Sequence, residues 1–185
     1  LKPVGDVSWP NYILGAAAQF QKLNIRLQGF NAVLCSDVPI GAGISSSAAV
    51  ECAVIFALNE LLQTKLDKFT MVKMAQKTEH EFAGVMCGIM DMFASLMGKK
   101  DHLIKLDCRS LEYEYVPLKL EGIKIVLLNT NVKHSLASSE YNTRRAECMQ
   151  AVEWVKQHEL QVNSLRDVTE YMLDKYVLPK SKLID

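Results

Sequence analysis

The chain has 185 residues, 49% of them hydrophobic, with 21 basic side chains balanced by 21 acidic ones. That length suits one sizeable core or two small domains, and the neutral balance argues against a nucleic-acid or membrane-surface binder. The five cysteines (Cys35, Cys52, Cys87, Cys108, Cys148) are odd in number, lie among apolar neighbours and show no Cys-x-x-Cys spacing. They predict reduced thiols in a cytoplasmic protein, not a zinc knuckle or a disulfide scaffold. No run reaches the roughly 18 apolar residues of a membrane span, and no signal peptide opens the chain.

Taken in chain order, Trp9 to Leu23 has helical spacing, with Trp9, Tyr12, Ile13, Ala16 and Phe20 on one face. Phe30 to Ser36 reads as a strand. Ser45 to Leu62 is nearly all apolar and predicts a buried helix through the domain centre. Lys68 to Ala83 predicts a second helix with Phe69, Val72, Ala75 and Phe82 inside, broken by Gly84, and Gly88 to Met97 a short apolar helix ended by Gly98. His102 to Asp107 and Leu111 to Val116 alternate as strands, and Ile123 to Asn129 reads as a strand covered on both faces. Ser135 to His158 predicts a long helix with Met149, Val152 and Val155 inside and Arg144, Arg145, Glu147 and Glu153 on its solvated side. Ser164 to Tyr176 predicts a last amphipathic helix.

The most informative stretch joins the first strand-like run to the second helix: Val38-Pro39-Ile40-Gly41-Ala42-Gly43-Ile44-Ser45-Ser46-Ser47-Ala48-Ala49. A glycine-rich turn lets backbone approach an anion, and the free amides of a helix start face it with the favourable end of the dipole. The serines add hydroxyls for phosphate oxygens or a magnesium ion. No lysine follows the second glycine, so this is not the Gly-x-x-x-x-Gly-Lys-Ser/Thr loop. The plainer alternative is a strand-to-helix turn with serine N-caps.

This stretch resembles the nucleotide-binding motif of the GHMP kinases. Within that family, Cys87-Gly88-Ile89-Met90-Asp91, Leu106-Asp107-Cys108-Arg109-Ser110 and His134-Ser135-Leu136-Ala137-Ser138-Ser139-Glu140-Tyr141 resemble galactokinases, in the same order. The resemblance implies the α+β GHMP kinase fold. Residues 1–117 are then part of the N-terminal ATP-binding domain, and residues 118–185 the first part of the C-terminal one. Neither the sugar-binding pattern Gly-Glu-His-Thr-Asp-Tyr nor the family's C-terminal glycine-rich motif is in the sequence. On the resemblance, the chain reads as an internal fragment of a monomeric galactokinase, inactive and prone to self-association when isolated.

The resemblance also implies roles. Asp91 matches the base that takes the sugar hydroxyl proton; on sequence alone it is an acidic residue complementing a helix dipole. Met92 stands where the family usually has glutamine. Glu79 and Ser47 match the magnesium-holding residues, with Ser46 next in line, although Glu79 alone reads as an ordinary charge in Glu79-His80-Glu81. Gly41, Ala42, Gly43, Ile44, Ser45, Ser46 and Ser47 match the phosphate loop, and Trp9 and Tyr12 residues near the adenine. Gly88, Asp91 and Tyr141 match sugar contacts. ATP, magnesium and galactose, phosphorylated at the anomeric hydroxyl, are the implied ligands, in the cytoplasm and with no nucleic-acid or membrane partner. The alternatives are another GHMP kinase, for N-acetylgalactosamine, mevalonate or homoserine, and a non-catalytic galactokinase-like sugar sensor.

Overall fold

A computed structural model describes residues 1–5, 9–129 and 137–181, with residues 137–139 described for their backbone alone. The chain forms two compact units, Leu1–Ser135 and Leu136–Asp185.

In the first unit, helices α1 (Pro10–Lys22), α2 (Ser46–Leu61), α3 (Lys68–Thr78) and α4 (Met90–Met97) pack around one core. Proline at the start of α1 removes only an amide that would lack a helical partner, and its fixed φ suits the first turn. Asp67 caps α3 by accepting from the Thr70 amide at 2.9 Å. Phe20, Ile55, Val72 and Phe93 are the buried centre. Gly15 is where α1 meets the end of α3. A β-carbon there would lie 2.5 Å from Thr78 Cγ2 and 2.9 Å from Phe82 Cβ, so only glycine allows this approach.

The predicted second helix does not remain α-helical to its end. A π-helical turn, Glu79–Ala83, follows α3, and Gly84 closes it at φ +73°. The Glu79 carbonyl accepts from both the Gly84 and Val85 amides. Residues 84–89 then run irregularly into α4.

Strands β1 (His102–Leu106) and β2 (Tyr113–Pro117) form an antiparallel pair in which Ile104 faces Tyr115. Phe69, Phe93 and Tyr113 meet edge to face with centroids 5.2–5.9 Å apart, joining this pair to the helices. The Tyr115 hydroxyl donates to the Met97 carbonyl at 2.6 Å. Helices with a small antiparallel sheet agree with the predicted α+β class.

Two predicted strands do not form. Residues 30–36 and 123–129 are irregular and exposed, Leu128 to 88%, so the second is not covered on both faces. A strand exists only when another strand accepts its ladder bonds, and the one sheet among the described residues pairs β1 with β2 alone. Helix α2 is also less buried than expected, with Phe56 and Leu61 exposed.

In the second unit, α5 (Ala137–Lys156) packs its Val155 against Val162 and Val177. Val152 is partly buried, but Met149, expected inside, is exposed. Arg144 pairs with Glu147 at 2.9 Å on the solvated side, as predicted for that face. The predicted last helix is broken into a 3-10 turn (Leu165–Asp167), α6 (Glu170–Met172), a π turn (Leu173–Val177) and a second 3-10 turn (Leu178–Lys180). Ser164 and Asp167 form a capping box at its start. Among the described residues no helix is long and apolar enough to cross a membrane.

Candidate active site

The glycine-rich stretch is a true turn into α2. Gly41 and Gly43 have φ +73° and +75°, and no atom lies within 4 Å of where their β-carbons would be. Their conformation, not crowding, calls for glycine. Ser45 is also left-handed, at φ +61°, a region that costs an ordinary residue about 1–2 kcal/mol. It occupies the N-cap position but makes no side-chain cap bond. The serine N-cap alternative therefore fails at its central requirement. The first turn of α2 keeps its amides uncapped by side chains, beside a loop whose backbone is open to a ligand. Ala42, Ile44, Ser46 and Ser47 are partly exposed along this edge.

Four elements bring ionisable groups together next to that helix start. Tyr12 comes from α1, Ser47 and Glu51 from α2 one turn apart, Glu79 from the π turn, and Asp91 from the first turn of α4. Glu79 is only 5% exposed and Glu51 is fully buried. Burial first, then the charge of Glu79 and its hydrogen-bonding proximity, push the Glu51 carboxyl up to about 10. Glu79 is likewise raised, mainly by burial. Hydrogen bonding from Glu51 and Ser47 and the nearness of His80 temper that rise, while the charge of Asp91 adds to it. Neither Glu51 oxygen, nor Glu79 Oε2, has a partner that meets hydrogen-bond geometry. The two carboxyl groups thus influence each other across a gap that no well-formed bond closes. Buried polar atoms left in this way call for an explanation, and an unbound ion or ligand is one.

The surroundings respond to this concentration of carboxylates. The Tyr12 phenol is raised by burial, then by Glu79 and Glu51. The Cys87 thiol is pushed up to about 12 by burial and by Glu79, Glu51 and Asp91, and the Cys52 thiol to about 12 by burial and Glu51. Neither is a nucleophile under such conditions. Glu81, on the outer side of the same π turn, accepts from Gln19 at 2.8 Å and pairs with Lys22.

Ser47, Glu79, Asp91 and Tyr12 are therefore brought together. Trp9 stands 63% exposed just before α1. Gly88 is exposed in the irregular segment before Asp91, and Met92, next to Asp91, turns into the core. Tyr141 belongs to the second unit, near the start of α5. Of the motif before it, residues 134–136 lie outside the described residues.

The sequence reading overlooked Glu51, Gln76, His80 and Gly15. Glu51 did carry a signal, as the only charged residue in an apolar run from Ser46 to Leu58. Gln76 and His80 carried none, because what they do depends on where the chain returns after Gly84.

Known proteins resemble the chain over most of its length. Residues 11–99 match the family model described as GHMP kinases N terminal domain. Over this stretch the chain belongs to the GHMP kinase family. It is 48% identical over 167 residues to a galactokinase of Thermotoga maritima, covering 90% of this chain and 46% of that protein. A galactokinase of Limosilactobacillus fermentum is 43% identical over 172 residues, covering 92% of this chain and 44% of the relative. Among solved structures, Lactococcus lactis galactokinase complexed with galactose matches with a TM-score of 0.84 at 33% identity. That match covers 94% of this chain and 45% of the other. The chain thus spans less than half the length of the relatives it matches.

Proposed function

We propose that this chain is part of a galactokinase, which transfers the γ-phosphoryl group of ATP to the anomeric hydroxyl of galactose. The observation that carries the reading is the convergence of an uncapped, glycine-preceded helix start with Ser47, Glu79 and Asp91. High identity to galactokinases across most of the chain supports it, as does likeness to a galactokinase that holds galactose.

In this reading, amides from Gly41 to Ser46 cradle the phosphates, helped by the α2 dipole. The Ser47 hydroxyl and the Glu79 carboxylate hold magnesium. Their fit is good: both offer oxygen, Glu79 Oε2 is buried without a partner, and Ser47 lies beside it. Among the described residues no group of three or more His, Cys, Asp and Glu side chains gathers as a metal cage. A cation here would draw on one or two protein oxygens, with phosphate and water completing its shell, which suits magnesium. When bound, the ion would supply neutralising charge to the phosphates.

Asp91 takes the proton of the sugar hydroxyl as that oxygen bonds to the γ-phosphorus and the bond to the ADP oxygen breaks. Since Asp91 sits at the start of α4, locked between the buried Met92 and Phe93 on one side and the residues 84–89 on the other, its main contribution is orientation. Gly88 and Tyr141 contact the sugar, and Trp9 and Tyr12 line the adenine side; the exposed Trp9 face supports that role. The family domain boundary is proposed at residue 117, where β2 ends. The setting is a cytoplasmic monomer.

The test is galactose-dependent ADP release by the full-length protein carrying this chain, with magnesium present and the product identified by phosphorus NMR. Formation of galactose 1-phosphate supports the proposal. Binding of both ligands without turnover would mark a sugar sensor, and turnover confined to another alcohol would mark a different GHMP kinase.

A further inference from the structure

The segment between the π turn and α4 has little apolar anchoring. Gly84, Met86 and Gly88 are exposed, and only the partly buried Cys87 and the buried Ile89 reach the core. Polar bonds from one stretch of α3 and the π turn help to set its place. The Cys87 carbonyl lies 2.9 Å from His80 Nε2 and 3.2 Å from Gln76 Nε2. These side chains are one helical turn apart on one face. A carbonyl oxygen only accepts, so His80 Nε2 carries the hydrogen, and both lone pairs of the carbonyl are used. The Cys87 amide donates to the Val85 carbonyl at 2.8 Å, and the Val85 amide to the Glu79 carbonyl at 3.2 Å.

The same short stretch therefore carries Glu79 toward Ser47 and, through Gln76 and His80, grips the chain just before Gly88 and Asp91. On the far side, Met92 and Phe93 hold α4 in the core. The π turn makes this possible, because its extra residue leaves the Glu79 carbonyl to receive the returning chain.

We propose that Gln76 and His80 are positioning residues for phosphoryl transfer: by fixing the Cys87 carbonyl they set Gly88 and Asp91 relative to Glu79. This rests on the kinase reading above. Two bonds to one acceptor hold both the distance and the direction of the segment. A displacement of about 1 Å in a transfer site can lower the rate on the order of a hundredfold.

The experiment uses the full-length protein carrying this chain. Gln76→Met with His80→Asn removes both donors while keeping helix-compatible side chains; Asn is too short to place its nitrogen where Nε2 stood. His80→Gln, alone, restores a donor at the Nε2 position. The double variant should lose about a hundredfold in kcat/KM for galactose, while KM for ATP stays within about threefold. His80→Gln should stay within about threefold of the wild type, and His80→Asn alone should fall between them. Hydrogen exchange across residues 84–91 should accelerate in the double variant, with the rest of α3 and α4 unchanged. Unchanged exchange there, or equal damage from His80→Gln and His80→Asn, would overturn the positioning role. A wild-type protein that releases no ADP with galactose would instead overturn the kinase reading, and the exchange comparison would still decide the clamp.

Discussion

Helices α1 to α4 and the irregular runs at 30–36 and 123–129 are both rich in apolar residues, yet they end in opposite states. Phe20 and Ile55 are fully buried, while Val33 and Leu128 are almost fully exposed. A helix satisfies its backbone within itself and needs neighbours only for its apolar face. A strand needs a neighbour even for its backbone. The β1–β2 pair shows the same rule from the other side, since a short connection brings its two strands together. In this molecule the candidate groups Ser47, Glu79 and Asp91 stand on the helical part and its π turn, while the glycine loop and Gly88 lie in the segments that lead into α2 and α4.

Replacing groups in the two regions should give very different responses. The largest belongs to Glu51. Folding raises its carboxyl from the ordinary 4.5 to about 10, so between those values the unfolded chain binds fewer protons and stability falls as pH rises. With divalent cations removed, urea unfolding of the wild type from pH 5 to 9 should show that decline, and Glu51→Gln should flatten it by up to ~1.4 kcal/mol per pH unit. Equal slopes in the two proteins would mean that Glu51 is ionised in the fold.

Gly15→Ala should come next. Its new β-carbon would press on Thr78 and Phe82, directly flanking Glu79. Overpacking of this kind costs roughly 1–3 kcal/mol, visible as a lower thermal midpoint. Gly43→Val meets no atom within 4 Å, but its φ of +75° strains an added side chain, so the loop should leave this conformation while the helices stay packed. It should weaken binding of a nucleotide analogue by about 5–30-fold, the equivalent of ~1–2 kcal/mol of left-handed backbone strain. Equal affinities in a titration would remove the loop from the phosphate site. Smallest of all should be Leu128→Lys in the 185-residue chain, within ~0.5 kcal/mol by denaturant unfolding, as for any exposed position. A larger loss would mean that the run is packed in solution.

The same contrast explains what could be read from the sequence. Apolar spacing located α1, α2 and α4 within two residues and the start of α3, whose predicted span also took in the π turn, because periodicity records a local property. The 30–36 and 123–129 runs have equally strand-like patterns, but pattern cannot report whether a partner is present. Gly84 was legible as a break, yet the π turn before it was not, since it depends on the Glu79 carbonyl receiving the returning chain. Among the site residues, Ser47, Glu79 and Asp91 were reached through family motifs, not through spacing. Their meeting point, and the second buried carboxyl of Glu51 behind it, became visible only when three helices and a turn were placed in space. Met149 failed for a related reason: α5 meets only a small core, so one of its apolar positions stays outside.

The most direct measurement compares Asp91→Asn with the wild type in the full-length protein, reading nucleotide affinity and galactose-dependent turnover side by side. Asparagine keeps the shape beside Met92 and removes only the acceptor of the hydroxyl proton. The account predicts unchanged affinity for the nucleotide and a turnover lowered ~10²–10⁴-fold, the usual worth of a positioned base. A variant that retains more than about a third of wild-type turnover would contradict it, because loss of a working base cannot be that mild.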